Sequence, residues 1–329
     1  MSDKQENARC LSYMKNNLGE QVMVKRSTLV IGTRGSPLAL AQAHEVQERL
    51  SDKLGWEKDR LPLQVIKTSG DLIQDRSLTD AGGKGLFTRE LDIALIDQNI
   101  DLAVHSAKDL PSCFPDGIRF GGCLPREDVR DAFISLKYKS LEDLPQNAVI
   151  GSASLRRQAL LTMKRPDLKV TLLRGNVETR LRKLQEGLFD GTLLAVAGLK
   201  RLGFMHHATQ ILETDQFLPA VGQGAIALSL RTDDLWLEKQ LEQIIEPLTT
   251  AAVQMERAFL EVLDGSCRMP IAGYARLVDN RFHFTGQILR PDGSECLSSE
   301  RICLLEDAVK TGRDAGLELK KRMPADFLG

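Results

Sequence analysis

The feature that most restricts the fold of this chain is an alternation. Short β-type runs are followed by helix-length segments, again and again, over roughly its first two thirds. "STLVIGTRGSPLALAQAHEVQERLSDKL" sets the pattern. A strand ends near Gly32, Ser36 stands where it can cap a helix, and Pro37 takes the first helical position. Ala39, Ala43, Val46, Leu50 and Leu54 then recur at helical spacing. "LPLQVIKTSGD" reads as a strand, "GLFTRELDIALIDQ" as a helix, and "DLAVHSAKDLP" as a strand running into a loop. The theme returns in "NAVIGSAS" before "LRRQALLTMKR", in "LKVTLLRGN" before "VETRLRKLQEG", and in "GTLLAVAGLKRLG". Strands separated by helices of this length imply parallel βαβ units with helices on both sheet faces.

The order breaks after "LPAVGQGAIALSLR". One helix follows, "TTAAVQMERAFLEVLDG", then three strand-like runs with turn signals at Asp279-Asn280 and Asp292-Gly293, then a last helix, "LEDAVKTGRDAGLELKKR". This tail predicts a small α+β domain. Between its first helix and first strand lies "LDGSCRMP", where Cys267 occupies a glycine- and proline-flanked loop with no second cysteine nearby. The chain has 329 residues, enough for two or three cores, and a formal net charge of -1. That balance argues against a general nucleic-acid or membrane binder. No apolar run is long enough to cross a bilayer. Residues 1–27 have no signal-peptide core and carry Asp3, Glu6 and Glu20, so they read as a loosely ordered leader. The six cysteines show neither metal-ligand nor disulfide spacing, and reduced thiols in cytosol are the expectation.

The cations fall in a pattern. Arg34 follows the first strand and Lys108 the third; Arg156 and Arg157 follow "VIGSAS", and Arg174 ends "VTLLR". In a parallel α/β sheet these positions lie at the carboxyl ends of strands, where such folds bind ligands. Helix starts there favour anions, and Ser36, Ser152, Ser154 and Asn176 can bond either backbone or ligand. Any one arginine could be a solvated surface residue. Together they point to a small molecule with several negative groups. Asp109, amid these cations, could be a salt-bridge partner, a helix cap, or a carboxylate that stabilises a cationic intermediate. "AGGKGLF" lacks the Ser or Thr of a phosphate loop and "GQGAIA" lacks the third glycine of a dinucleotide site, so neither implies a nucleotide. His206-His207 reads as a surface loop, and no metal is expected.

Nine segments in register, among them "IGTRGSPLALAQ", "GGKGLFTRELD", "DLAVHSAKDLP", "REDVRDAFI", "GSASLRR", "LRGNVETRLRKL", "LPAVGQGAI" and "ERAFLEVLDGSCRMPIAGY", resemble the porphobilinogen deaminases, from about Leu29 to the C-terminus. The resemblance implies two α/β domains of the type II periplasmic-binding-protein kind plus a small C-terminal α+β domain. The implied division is 28–124 with 223–244, then 125–222, then 245–329. It implies a transferase that condenses four porphobilinogen molecules into the linear tetrapyrrole hydroxymethylbilane, releasing ammonia at each step. A dipyrromethane cofactor is implied to be held by a thioether at Cys267. Asp109 matches the catalytic aspartate. Ser106, Lys108, Ser154, Arg156, Arg157 and Arg174, with Asp109, match cofactor-binding positions. Arg34, Ser36, Gln42, Lys84, Arg180 and Arg201 match substrate-binding ones, and Asp71 a further cleft position. The implied protein is a cytoplasmic monomer, or a plastid stromal one if a longer precursor exists. Its partners are porphobilinogen and the growing oligopyrrole, with no nucleic acid or membrane. Two rivals differ in class. A non-catalytic binder of a carboxylated metabolite has no need of a thiol-bearing third domain. A cysteine hydrolase needs a base near Cys267, and His283 sits in what reads as an alternating strand.

Overall fold

In the computed structural model of the protein, residues 11–15, 21–72, 85–263 and 269–327 are described. The chain opens with two antiparallel strands, β1 (Leu11–Lys15) and β2 (Gln21–Lys25), paired from Leu11↔Lys25 to Lys15↔Gln21. Both strands fall within residues 1–27, the segment expected to be a loosely ordered leader. "QVMVK" places two valines in β-period, and such residues favour a paired strand. Arg26 then fastens the segment to the body through Asp101 (2.7 Å) and Asp234 (2.9 Å).

The first sheet begins with β3 (Ile31–Thr33), whose chain turns into α1 (Pro37–Leu54). Ser36 caps that helix, accepting from the Ala39 amide at 3.3 Å, as the Ser-Pro signal predicts. β4 (Leu63–Val65), α2 (Ser69–Leu72), α3 (Arg89–Ile96), β5 (Leu102–Ser106) and β6 (Ile118–Cys123) follow. The second sheet contains β7 (Asp131–Ile134), β8 (Val149–Gly151), β9 (Lys169–Thr171), β10 (Gly191–Ala195) and β11 (Gln210–Leu212). Its helices are α4 (Leu155–Lys164), α5 (Val177–Gln185) and α6 (Val196–Arg201). β12 (Ile226–Arg231) then returns to the first sheet, antiparallel to both β5 and β6.

The two sheets share one strand order. The first runs β4-β3-β5-β12-β6 and the second β9-β8-β10-β7-β11. Each places three parallel strands in the order second, first, third, then one antiparallel strand, then an edge strand. The antiparallel strand is the one that arrives from the other half of the chain: β7 entering from the first sheet, β12 returning from the second. The segments leading into β7 and β12 run side by side, with Glu127 N donating to Gly224 O at 3.2 Å.

After α7 (Leu235–Leu241) come α8 (Pro247–Val262), the antiparallel strands β13 (Ile271–Val278), β14 (Arg281–Leu289) and β15 (Cys296–Cys303), and α9 (Ala308–Arg322). Asp279 and Asn280, both at positive φ, make the expected hairpin turn. Separate apolar clusters underlie the three parts: Leu50, Val104 and Leu228 in the first, Phe133, Leu160 and Leu193 in the second, Phe259, Phe284 and Leu319 in the third. The fold class is therefore the expected one, two α/β sheets and a small α+β unit. α8 is seated on the paired crossing segments by Glu256, which is fully buried. Its carboxylate takes bonds from Arg126 (2.6 Å), the Gly222 amide (2.7 Å) and the Ala275 amide (2.9 Å).

Candidate active site

The carboxyl ends of β3 and β5 place Arg34 and Asp109 together, 3.5 Å apart. Arg34 also pairs with Asp71 and stacks over the Phe87 ring at 4.1 Å. Burial would raise the Asp71 carboxyl, but its bond and charge contact with Arg34, and a bond from Thr68, hold it below its ordinary value. Gln42 and Ser106 bond each other at 3.0 Å, and with Arg34, Ser36, Phe87 and Asp109 they line a pocket of about 50 Å³. His105, just before this edge, bonds Ser229 Oγ at 2.9 Å. Burial, then the charges of Arg34 and Arg257, push it down to about 3, so it is neutral.

The second sheet treats its cations differently. Arg156 and Arg157, on the first turn of α4, are 4% and 5% exposed. Both donate to Asp131, each at 2.7 Å, and Asp131 is entirely buried at the start of β7. Their other Nη atoms reach the Leu218 and Leu193 carbonyls, at 2.7 and 2.8 Å. Burial alone would raise the Asp131 carboxyl; the two guanidiniums hold it far below the usual range. Both were expected to line the crevice at the carboxyl ends of the strands. They are packed into the cleft wall around an internal counter-ion, with each Nε still lacking a partner.

Even so, positive charge is in excess. Lys108 is accessible yet deep between the sheets, and desolvation with repulsion from Arg157 and Arg156 brings it down to about 8 against the pull of Asp109 and Asp131. Arg180 is brought down to about 10 by desolvation and by Arg157 and Arg174, with Asp109 opposing. Lys108 thus feels Arg156, Arg157, Asp109 and Asp131, and Arg180 feels Arg157, Arg174 and Asp109. Ser154 and Asn176 cap their helices, accepting from Arg157 N (3.4 Å) and Thr179 N (2.8 Å). Ser152 Oγ accepts from Ser154 N at 3.2 Å.

Arg201 does not join this cluster. It pairs with Glu45 of α1 at 3.5 Å and donates to the Gly224 carbonyl at 3.2 Å, which makes it a strut between the halves. Lys84 and Cys267 lie outside the described residues. Among the described residues no group of three His, Cys, Asp or Glu is disposed to hold a metal ion. Sequence reasoning missed three members of the site: Phe87 beneath Arg34, Asp131 between the paired arginines, and Gln223, whose amide bonds Asp131 at 3.0 Å. The available signal for Asp131 was an acid opening the otherwise apolar "DAFI".

A half-buried carboxylate ringed by cations in a cleft suits a ligand with several carboxylates and a reaction that develops positive charge beside Asp109. Comparison with known proteins agrees with that chemistry. "Porphobilinogen deaminase, dipyromethane cofactor binding domain" matches residues 29–239, and "Porphobilinogen deaminase, C-terminal domain" matches 250–321. The chain is 54% identical over 297 residues to a porphobilinogen deaminase of Nitrobacter winogradskyi, covering 90% of this chain and 94% of that one. It is 49% identical over 313 residues to a chloroplastic porphobilinogen deaminase of Oryza sativa, covering 93% and 87%. Among solved structures, a putative methionine-binding lipoprotein of Bacillus subtilis aligns with a TM-score of 0.42 and 14% identity, over 67% of this chain and 91% of that one.

Proposed function

Because this chain belongs to the porphobilinogen deaminase family, transferases that condense porphobilinogen into hydroxymethylbilane on a dipyrromethane primer, we propose how its own residues divide that work. One observation carries the division: Arg34 lies 3.5 Å from Asp109, and Lys108 and Arg180 share its surroundings, both depressed by burial and by neighbouring arginines. The orphaned Nε atoms of Arg156 and Arg157, and the depressed Lys108 and Arg180, fit a ligand that brings acetate and propionate groups.

Lys108, Arg156, Arg157 and Arg174, with Ser106 and Ser154, hold the carboxylates of the dipyrromethane, which Cys267 anchors by its sulfur. When bound, the cofactor supplies a pyrrole carbon that accepts the next unit. Arg34, Ser36, Gln42 and Arg180 orient the incoming porphobilinogen, with Lys84 as a further contact. The stacked Phe87 ring orients the planar Arg34 guanidinium against the pocket wall. Asp109 is the catalytic carboxylate: it holds negative charge beside the substrate's pyrrole nitrogen as ammonia leaves and the ring carries positive charge. The Asp109–Arg34 pair relaxes as substrate carboxylates take over the arginine. Arg201, which the resemblance matches to a substrate-binding position, also braces α6 against α1 through Glu45.

The working division of the chain is 28–124 with 223–244, 125–222, and 245–329, supported by sheet membership. A cytoplasmic location fits the free thiols of Cys113, Cys123, Cys296 and Cys303, and a monomer is the assembly to test by light scattering. No helix among the described residues is long and apolar enough to cross a membrane. Family membership removes the ground for a non-catalytic binder. Intact mass tests the whole reading. The purified protein should exceed its sequence mass by two linked pyrrole units, and Cys267→Ser should abolish both the increment and turnover. Active protein at unmodified mass refutes it.

A further inference from the structure

Gln223 has no part in the chemistry above, yet its buried amide touches both halves of the site, and the inference drawn from it rests on that assignment. Its Nε2 donates to the Val129 carbonyl at 2.7 Å and to Asp131 Oδ1 at 3.0 Å. Its Oε1 lies 3.5 Å from Lys108 Nζ. Lys108 belongs to the segment after β5, and Asp131 opens β7. One side chain therefore joins the carboxyl edge of the first sheet to the counter-ion of the arginine pair in the second.

The backbone is built to bring it there. At Gly222, where φ is +72°, an added Cβ would lie 2.9 Å from the Ala107 carbonyl carbon; at Gly224 it would lie 2.4 Å from the Glu127 carbonyl oxygen. Only glycine allows "GQG" to lie this close to both neighbours. Arg126 Nε donates to the Gln223 carbonyl at 2.9 Å, and Glu256 holds both Arg126 and the Gly222 amide. Glu256 is on α8, the helix that leads toward Cys267. A buried amide is costly unless it is satisfied, and an apolar side chain would fill this space at lower cost.

We propose that Gln223 is a positioning residue that sets Lys108 in register with the Asp131–Arg156–Arg157 wall, so that a primer held by the second sheet meets the reacting groups of the first. The arginine wall itself does not need it, because Asp131 keeps both guanidiniums.

The test uses the complete enzyme with porphobilinogen. Gln223→Met should fold, carry the two-pyrrole mass increment, and lose about ten-fold in kcat, the size expected for one hydrogen bond, with KM little changed. Lys108→Met/Gln223→Met should be no slower than Lys108→Met alone, since the second change acts through the first residue. Gln223→Asn, too short to span the gap, should match Gln223→Met and serves if the latter fails to fold. Wild-type kcat in either variant, or losses that multiply in the double variant, would overturn the inference. A wild type without the mass increment would instead overturn the cofactor assignment beneath it.

Discussion

The two sheets have one strand order and opposite ways of handling charge. At the edge of the first, Arg34 and Asp109 are partly open, with side-chain exposures of 18% and 32%, and Arg34 has two alternative carboxylates in reach. At the edge of the second, Arg156, Arg157 and Asp131 are sealed into the wall. Partners that remain accessible can be exchanged at modest cost, whereas a sealed pair resists separation because each lost partner leaves a charge stranded in low dielectric. On the proposed assignment of residues, the second sheet is a preformed receptor and the first is the edge where ligands exchange. Topology alone gives no hint of this asymmetry.

The largest expected effect comes from breaking the receptor. Asp131→Ala strands two buried guanidiniums and should cost about 3–5 kcal/mol of stability. Denaturant unfolding should show the loss, and intact mass should show mostly cofactor-free chain. A variant with ordinary stability and a full mass increment would erase the contrast between the halves.

Next in size is the working edge. Asp109→Asn keeps the shape and removes the charge, so kcat should fall by roughly two orders of magnitude or more, the scale of losing one preorganised electrostatic group. Cofactor content and melting temperature should stay near those of the wild type, which distinguishes it from Asp131→Ala. A collapse of stability would place Asp109 with the scaffold instead.

The effect that is smallest at neutral pH concerns acid. His105, under the first edge, is held neutral down to about 3, while its ordinary value is 6.5. Between those values the unfolded chain binds the extra proton, so stability falls as the pH drops, with a slope of up to about 1.4 kcal/mol per pH unit from this group. His105→Gln should flatten the stability curve over that window by this amount. An unchanged slope would show that the first sheet's acid response lies elsewhere.

Much of this arrangement was legible in the residues. Ser36-Pro37 and the apolar spacing from Ala39 to Leu54 are local signals, and they specify α1 with its cap. The cations stood out because a βα alternation assigns every strand-end residue to one edge. What local pattern cannot show is which charges already have partners. Asp131 is 25 positions from Arg156 and 92 from Gln223, and nothing short of the folded chain brings them together. The pairing of β1 with β2 is local by contrast, and it went unread because polar neighbours surround the two alternating valines of "QVMVK".

The exchange of antiparallel strands bears on how the protein is made. β5 and β6 are adjacent in sequence but separated in the sheet by β12, which follows the whole of the second sheet. At synthesis rates of about 5–20 residues per second, the roughly one hundred intervening residues take on the order of 5–20 s to emerge. Throughout that interval β5 and β6 present unpaired edges while the second sheet, already supplied with β7, can close. On the proposed division of labour, the nascent chain completes its receptor half before its catalytic half, and β5 and β6 stay open to edge-to-edge pairing until Ile226–Arg231 leaves the ribosome.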